Sequence, residues 1–202
     1  FSEGFATMLK PEYQRNKFGT VGTPVLGFEI KILNDSGEEC DVGQAGEIAG
    51  YGAGMMKEYF NEKELTEQLI WRDNRGKTFI KSGDIGKLDE EGFLTILDRK
   101  KDMIISGGLN VFPVDIEEIV GAHQDILDVT VIGIPHKKWG ETCLALVIPK
   151  NDKIIDTEEI KNWANKKLAK HQRLSKVEIR EDFPRNALGK VLKRFLREPY
   201  WV

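Results

Sequence analysis

The sequence predicts an α+β fold in two parts, a β-rich, barrel-like part followed by a small α+β domain. Two observations support this prediction. Residues 1–98 place many glycines between short apolar runs, a pattern typical of strands joined by tight turns. Residues 102–202 alternate β-branched apolar runs with segments of helical periodicity, and about 100 residues suffice for a compact domain. The content of 40% hydrophobic and 31% charged residues is that of a globular protein.

The first part is predicted to contain four strands and a short helix. Residues 29–33 alternate with period two and lead into a turn at residues 34–37. The helix occupies residues 61–69, with Asn61 as its N-cap and Glu64 three residues later, as in a capping box. The other strands are short apolar runs at residues 47–50, 78–81 and 93–97, the last preceded by a turn at residues 89–92.

The second part is predicted to contain three strands and three helices. Pro113 marks the first turn of a helix, where a missing N–H costs nothing. Asp156 and Glu159 form a capping-box-like start of a second helix, which is expected to end near residue 168. The strands are residues 126–134, 143–148 and 177–179, and a helical stripe follows at residues 191–196.

Composition excludes several classes of protein. No apolar run approaches the roughly 20 residues that a membrane-spanning helix needs, and no basic-then-apolar leader is present. We therefore expect a cytoplasmic protein, and Phe1 in place of an initiator methionine indicates a fragment or a trimmed chain. Cys40 and Cys143 are too few and too far apart for a disulfide framework or a zinc site, so two reduced thiols are expected.

The net charge of −3 is unevenly distributed. Residues 150–202 hold 14 Lys+Arg against 8 Asp+Glu, whereas the rest of the chain holds 16 against 25. The basic tail is either a set of ordinary solvated helix faces or a surface that attracts a small polyanion. Nucleic acid is not expected as a partner, because the basic residues alternate with acidic ones and no aromatic residues are interleaved.

Four segments contain more glycine and charge than packing requires. Residues 81–84, Lys-Ser-Gly-Asp, end a strand with a carboxylate that either accepts both hydroxyls of a ribose or caps a turn. The second segment begins with residues 98–102, Asp-Arg-Lys-Lys-Asp, which are either an exposed turn or a hinge between the two parts. They run into residues 106–110, Ser-Gly-Gly-Leu-Asn, which form either a tight turn or a place where a ligand passes close to the backbone.

The last two segments lie nearer the end of the chain. Residues 138–141, Lys-Trp-Gly-Glu, lie in a loop where the tryptophan either packs on its own core or forms an apolar wall for a narrow ligand. Residues 184–190, Pro-Arg-Asn-Ala-Leu-Gly-Lys, form a loop whose glycine frees the backbone before Lys190. An ammonium group suits phosphate and carboxylate oxygens, although a plain surface lysine at the start of a helix fits the same pattern.

The order and spacing of these segments resemble the adenylate-forming superfamily, which includes acyl-CoA synthetases, adenylation domains of peptide synthetases and luciferases. Residues 1–4, Phe-Ser-Glu-Gly, look like the end of its Tyr-Gly-x-Thr-Glu motif, and residues 21–24 look like its Val-Gly-x-Pro loop. Residues 81–84 resemble its Lys/Arg-Thr-Gly-Asp motif, with Ser for Thr. Residues 98–102 match its Arg-x-x-Asp hinge, and residues 184–190 match its Pro-x-x-x-x-Gly-Lys motif.

The resemblance implies a role for individual residues in ATP-dependent activation of a carboxylic acid. Ser2 would bond the α-phosphate of ATP, and Glu3 would help to hold Mg²⁺. Asp84 would bind both ribose hydroxyls, with Arg99 as a second contact to ribose or phosphate. Lys190 would be the catalytic residue that bridges the carboxylate and the α-phosphate, where charge builds up in the transition state.

The resemblance also implies a domain organisation. Residues 1–100 would be the C-terminal part of a large ATP- and acyl-binding domain, and residues 101–202 a small mobile lid domain with its hinge at Lys101. The family's phosphate loop, its adenine pocket and nearly all of its acyl pocket have no counterpart in the sequence. The chain is therefore expected to be inactive by itself.

A second ligand, CoA, is implied for the small domain. Gly107 and Gly108 would line a tunnel for its pantetheine arm, against which Trp139 would pack, and the basic tail would meet the CoA phosphates. Two features depart from the family pattern. Leu109 stands where relatives usually have Glu, and residues 171–173, His-Gln-Arg, replace the usual Tyr-Lys-Val.

The predicted function is that of the C-terminal part of an AMP-forming acyl-CoA ligase for a carboxylic acid, with a fatty acid favoured and ATP, Mg²⁺ and CoA as co-substrates. Lys-Trp-Gly-Glu at residues 138–141 is more typical of CoA ligases than of the other family branches. Two alternatives stay open: an adenylation domain that loads a carrier protein, and a non-catalytic fragment that binds CoA or a partner.

Overall fold

The chain folds as two compact units, residues 1–101 (unit 1) and residues 102–202 (unit 2), in a computed structural model that describes residue 4, residues 6–150 and residues 153–201. Both units contain strands and helices, which confirms the predicted α+β class. Within these described ranges, no helix is long and apolar enough to cross a membrane.

Unit 1 is mostly β-structure. Its strands are β1 (Thr7–Met8), β2 (Thr23–Pro24), β3 (Phe28–Leu33), β4 (Gly46–Gly52), β5 (Ile70–Arg72), β6 (Thr78–Leu88) and β7 (Leu94–Arg99), and its helix is α1 (Lys63–Leu69). β3, β4, β6 and β5 follow one another in a five-stranded antiparallel sheet, in which β7 also pairs with β6. β1 and β2 form a separate two-stranded sheet.

Two small apolar clusters hold the sheet of unit 1, one on each face. Because side chains alternate along a strand, Ile32 and Leu33 of β3 point to opposite faces. One cluster comprises Ile30, Ile32, Ile48 and Leu94, and the other comprises Leu33, Ala49 and Phe79. The alternating pattern that predicted the strand at residues 29–33 therefore reflects burial of the face that carries Ile30 and Ile32, and Leu33 is buried on the opposite face.

Unit 2 combines a sheet with helices. Its strands are β8 (Ile104–Ser106), β9 (Leu109–Val111), β10 (Ile126–His136), β11 (Gly140–Pro149) and β12 (Leu174–Ile179), and its helices are α2 (Pro113–Gly121), α3 (Thr157–Asn165) and α4 (Lys193–Arg197). The sheet follows the order β10, β11, β8, β9, and β12 also pairs with β11. The β11–β12 pairing is parallel, and the other pairings are antiparallel.

The sheet of unit 2 is covered on both faces. Ile116 of α2 and Ile160 of α3 belong to a large cluster on one face. On the opposite face, Leu146 of β11 and Phe183 are buried, and Leu196 of α4 packs against them. The predicted alternation of strands and helices therefore produces a domain with a continuous core on either side of its sheet.

Each unit contains one free cysteine, Cys40 in unit 1 and Cys143 in unit 2. Burial raises the pKa of the Cys143 thiol to about 12, and the negative charge of Glu141 adds to the effect. Because the thiolate is the reactive form, Cys143 is a packing residue of the core.

The predicted N-caps of two helices, α1 and α3, can be compared with the caps in the structure. The carboxylate of Asp156 accepts hydrogen bonds from the N–H groups of Glu158 (2.8 Å) and Glu159 (3.3 Å), so its predicted N-cap role in α3 is confirmed. The predicted N-cap of α1, Asn61, is wrong. Asn61 adopts a left-handed conformation with φ 58°, and the chain enters the helix one residue later, at Glu62, without a side-chain cap.

Candidate active site

Lys190 lies in a tight hairpin of unit 2. The hairpin is closed by hydrogen bonds from the Leu192 N–H to the Pro184 oxygen (2.7 Å) and from the Asn186 N–H to the Lys190 oxygen (2.9 Å). Gly189 has φ 81°, in the left-handed region, and its N–H donates to the Asn186 oxygen (2.9 Å). This is the three-residue hairpin loop in which a left-handed residue follows a type I turn, and it explains the glycine before the lysine.

The side chain of Asn186 fixes the turn from within. Its Oδ1 accepts hydrogen bonds from the N–H groups of Leu188 (3.0 Å) and Lys190 (2.9 Å). Both of these side chains are exposed, Leu188 by 93%. The hairpin therefore presents an ammonium group on a backbone that its own hydrogen bonds hold in place.

Asp84 and Arg99 meet in unit 1. They are directly opposite each other in the β6–β7 pairing, and Arg99 Nε lies 2.8 Å from Asp84 Oδ1. The Asp84 side chain is only 15% exposed and lines, with Arg99, a cavity of about 400 Å³. Ser82 supports this position, since its Oγ accepts a hydrogen bond from the Asp84 N–H (3.1 Å) and donates one to the Ile48 oxygen (3.0 Å). A carboxylate and a guanidinium thus converge at one cavity wall.

The Val-Gly-x-Pro segment lies beside the same cavity. Gly22 has φ 87°, and a Cβ at this position would lie 2.0 Å from the backbone carbon and oxygen of Met8. Only glycine therefore permits the close approach of β1 and β2. The Val21 N–H donates to the Leu94 oxygen (2.8 Å), and the Leu94 N–H donates to the Gly22 oxygen (2.9 Å). These bonds tie the segment to β7 and place Val21 in the cavity wall.

The charged run at residues 98–102 contains an anchor that sequence reasoning missed. Lys100 Nζ lies 2.8 Å from the Glu47 Oε2 of β4, whose side chain is only 10% exposed. Lys101, the predicted hinge residue, is the last residue of unit 1. A glutamate at the second position of β4, a strand with no other charged residue, was the signal in the sequence for this buried partner.

Gly107 and Gly108 form the turn between β8 and β9, with φ 61° and 82°. The Gly107 N–H donates to the Trp139 oxygen (2.8 Å), and a Cβ on Gly107 would lie 3.0 Å from Cε3 of the Trp139 ring. The indole therefore covers the first glycine, while open space surrounds the second. The structure brings together the two segments, 106–110 and 138–141, that the sequence singled out separately.

Gly107 and Trp139 border a cavity of about 530 Å³ in unit 2, and Gly108 is not part of its lining. Gly107 and Trp139 form one part of its lining, and Lys170, His171 and Arg173 form another. Most of the lining surface is apolar, contributed by side chains such as the indole, with basic groups at one part. The cavity thus offers an apolar channel together with cationic groups suited to phosphate.

His136 is a second residue that sequence reasoning missed. Its Nδ1 accepts hydrogen bonds from the N–H groups of Lys138 and Trp139, each at 3.2 Å, and its ring stacks on the indole with an interplanar angle of 19°. It lies in the cavity lining beside Trp139. A histidine at the end of an apolar strand, just before the Lys-Trp-Gly-Glu segment, is a weak signal that a single sequence does not separate from chance.

Ser2 and Glu3, the predicted contacts to the α-phosphate and to Mg²⁺, lie outside the described residues. Among the described residues, no group of three or more His, Cys, Asp or Glu side chains is placed to hold a metal ion.

Two family profiles match the chain, one in each unit. The profile described as AMP-binding enzyme matches residues 2–60, and the profile described as AMP-binding enzyme C-terminal domain matches residues 115–190. The second match ends at Lys190. The chain belongs to the adenylate-forming, AMP-binding enzyme superfamily. It corresponds to the C-terminal part of a member of that superfamily, since most of unit 2 matches the profile of the C-terminal domain.

Curated relatives of this superfamily member are CoA ligases. The long-chain-fatty-acid–CoA ligase FadD13 of Mycobacterium tuberculosis is 36% identical over 98% of this chain and 38% of its own length. The 2-succinylbenzoate–CoA ligase of Geobacillus kaustophilus is 38% identical over 94% of this chain and 37% of its own length. The chain thus spans less than two-fifths of the length of these relatives.

Solved structures of the superfamily match the fold. O-succinylbenzoate CoA synthetase from Bacillus subtilis, in complex with its acyl-adenylate intermediate, gives a TM-score of 0.82 at 36% identity, over 94% of this chain and 38% of that one. ATP-bound MatB from Rhodopseudomonas palustris gives 0.82 at 35% identity, over 90% of this chain and 36% of that one.

Proposed function

We propose that this chain is the C-terminal part of an AMP-forming acyl-CoA ligase, which converts a carboxylic acid to an acyl-adenylate with ATP and then transfers the acyl group to CoA. The observation that carries the proposal is the cavity of unit 2, where Gly107 and Trp139 join Lys170 and Arg173. An apolar channel with basic groups suits the pantetheine arm and phosphates of CoA. The relatives named above are CoA ligases, which supports CoA as the acceptor.

Lys190 is the proposed catalytic residue of the first step. The attack of the substrate carboxylate on the α-phosphate brings two anionic groups together, breaks the bond to the leaving pyrophosphate and places negative charge on the α-phosphate oxygens in the transition state. A fixed ammonium stabilises that charge, and the Asn186 turn supplies the fixed backbone. Because a lysine acts as a compact point charge, its contribution depends on its position more than on the direction of a hydrogen bond.

Asp84 and Arg99 are the proposed nucleotide contacts in unit 1. The carboxylate of Asp84 accepts hydrogen bonds, so it suits a pair of ribose hydroxyls, and Arg99 holds it by an ion pair. Ser2 and Glu3 complete the proposal as contacts to the α-phosphate and to Mg²⁺. Mg²⁺ would neutralise phosphate charge, and Glu3 would supply a carboxylate oxygen, the kind of ligand that this ion prefers.

The domain roles follow from the same proposal. Unit 1 would be the end of the large ATP- and acyl-binding domain, and unit 2 the lid domain, with Lys101 as the hinge.

We propose a fatty acid as the substrate and the cytoplasm as the location. The relatives include ligases for long-chain fatty acids and for 2-succinylbenzoate, so a panel of both acids tests the substrate class. The chain by itself is proposed to be inactive.

Two substitutions in the full-length enzyme test the assignment of the two steps. Lys190→Ala is expected to slow adenylation by about 10²–10³-fold or more, the loss typical of removing one preorganised charge-stabilising group, while thioester formation from preformed acyl-adenylate persists. Trp139→Ala is expected to give the opposite pattern. Adenylation is measured by ATP–pyrophosphate exchange, and thioester formation by release of acyl-CoA.

Lys63→Ala is the matched control, because Lys63 is an exposed lysine at the start of α1 and lies outside the basic tail. It is expected to leave both steps unchanged. An unchanged adenylation rate in Lys190→Ala would refute the role of the lysine, and a loss of adenylation in Trp139→Ala would refute the assignment of its cavity to CoA.

A further inference from the structure

We propose that Arg185 is a positioning residue for Lys190, and that Asp128 of β10 anchors it. This inference rests on the proposed function of Lys190. In this proposal, Arg185 and Asp128 do not contact the reacting groups but hold the hairpin that carries Lys190 against the sheet.

Arg185 makes two contacts with one guanidinium group. Its Nη1 donates a hydrogen bond to the Gly189 oxygen (2.7 Å), and its Nη2 forms an ion pair with the Asp128 carboxylate. The Gly189 carbonyl belongs to the peptide bond that leads into Lys190. One planar side chain therefore joins the peptide bond before the lysine to Asp128, which lies 57 positions before Arg185 in the chain.

The anchor at Asp128 is itself fixed. Its second carboxylate oxygen, Oδ1, accepts a hydrogen bond from the Val129 N–H (2.8 Å). The register of β10 against β11 shifts between Ile126 and Asp128, which is the irregularity of a β-bulge. Bulges re-aim side chains at the edges of sheets, and this one lies where the carboxylate meets Arg185.

A second ion pair holds the other end of the hairpin. Lys193 Nζ, at the start of α4, lies 2.8 Å from Glu117 Oε1 of α2, and the same oxygen accepts a hydrogen bond from the Val131 N–H (2.7 Å). The hairpin that carries Lys190 is thus tied to β10 on both sides of the lysine. The Arg185 contact is the nearer of the two, because it reaches the residue directly before the lysine.

Loss of the Arg185–Asp128 ion pair is expected to affect the rate of adenylation and the stability of the fold to different extents. Arg185 and Asp128 are both 37% exposed, and ion pairs at this exposure contribute little to folding stability. A small displacement of a catalytic group, in contrast, costs as much as about 10²-fold in rate. Loss of the pair should therefore reduce catalysis far more than it reduces stability.

The experiment measures both half-reactions in the full-length enzyme for Arg185→Ala, Arg185→Lys, Asp128→Ala and the double variant Arg185→Ala/Asp128→Ala. Arg185→Ala is expected to lower kcat for adenylation by about 10–100-fold with little change in KM for ATP, while thioester formation from preformed acyl-adenylate stays unchanged. Arg185→Lys is expected to recover part of the rate, because it keeps the charge but not the two-pronged contact. The double variant is expected to be no slower than Arg185→Ala, since the two residues act as one unit.

Lys31→Ala is the matched control, because Lys31 of β3 pairs with Glu39 at a similar exposure and lines neither cavity, and it is expected to leave both rates unchanged. Thermal unfolding of each variant separates positioning from folding. An adenylation rate within threefold of wild type in Arg185→Ala, an equal loss in both half-reactions, or multiplicative losses in the double variant would overturn the proposal. Lys190→Ala measured in parallel distinguishes the two claims: if it also leaves adenylation intact, the function of Lys190 fails, whereas its loss beside an active Arg185→Ala refutes only the positioning role.

Discussion

The two units differ in how completely they bury their sheets. Unit 2 covers one face with α2 and α3 and the other with α4 and the segment around Phe183. Among its described residues, unit 1 has one α-helix, α1, and two small apolar clusters. Exposed apolar side chains do not distinguish the units: Phe18, Leu26 and Phe60 of unit 1 and Ile154 and Leu188 of unit 2 are each 90% or more exposed. The difference in core size predicts that unit 2 is stable by itself and that unit 1 is the less stable of the two when isolated.

The two units also hold their functional residues differently. Unit 1 places Asp84 and Arg99 on paired strands, where the register fixes their separation. Unit 2 places Lys190 and Gly107 in hairpin turns that project from a large core. Loops are tolerant of movement, so unit 2 needs extra bonds, such as those of Asn186, to keep its groups in position.

Separating the units tests the difference most strongly. Residues 102–202 expressed alone are expected to unfold cooperatively in urea and to keep the near-ultraviolet circular dichroism of packed aromatic side chains, because their core is continuous. Residues 1–101 alone are expected to unfold without a cooperative transition and to bind a hydrophobic dye. A cooperative transition for residues 1–101 would show that the small clusters suffice.

Substitution of Gly22 in unit 1 is expected to have the next largest effect on stability. Gly22→Ala is expected to destabilise unit 1 by about 4 kcal/mol or more, because the new Cβ would overlap the Met8 backbone. Gly43→Ala is the matched control: Gly43 has a similar φ of 84° but open space around the Cβ position, so only about 1 kcal/mol of backbone strain is expected. Hydrogen exchange of peptides from β1, β2 and β7 measures the effect, and equal losses in the two variants would contradict it.

Substitution of Glu178 in unit 2 is expected to have a smaller effect on the free energy of unfolding, and this effect should depend on pH. Burial opposes ionisation of Glu178, but hydrogen bonds from Lys176, Tyr200 and Arg180 outweigh it and lower its pKa to about 2. Since the folded pKa is below the ordinary value of 4.5, the ionised carboxylate stabilises the fold above about pH 4.5, and this contribution is lost as pH falls towards 2. Glu178→Gln is expected to cost on the order of 2 kcal/mol at pH 7 and much less at pH 2.5.

Urea unfolding at the two pH values measures this effect. The control is Glu158→Gln, since Glu158 forms an exposed pair with Lys161 one helical turn away, and it is expected to change stability by less than about 0.5 kcal/mol at either pH. A pH-independent loss in Glu178→Gln would mean that packing of the side chain, and not its charge, stabilises the C-terminal segment.

The sequence correctly predicted turns and helix caps whose hydrogen-bonding groups lie within a few residues of each other. The turn at residues 89–92 is present, with Gly92 at φ 81° and its N–H bonded to the Asp89 oxygen (2.9 Å). Asp156 caps its helix because the acceptor and the donors are adjacent in the chain. The strands β8 and β9 were missed, because each has only three residues and their pairing depends on the glycine turn between them.

The alternation of buried and exposed positions, the turns and the motif residues Asp84, Arg99 and Lys190 could be read from the amino-acid sequence, because they depend on residue type and on near neighbours. The contacts between distant residues, such as Glu47 with Lys100 and Asp128 with Arg185, could be identified only in the folded chain. The reason is that a strand's period of two fixes the face of a side chain but not its partner. Partners more than 50 residues apart are chosen by sheet register and by packing.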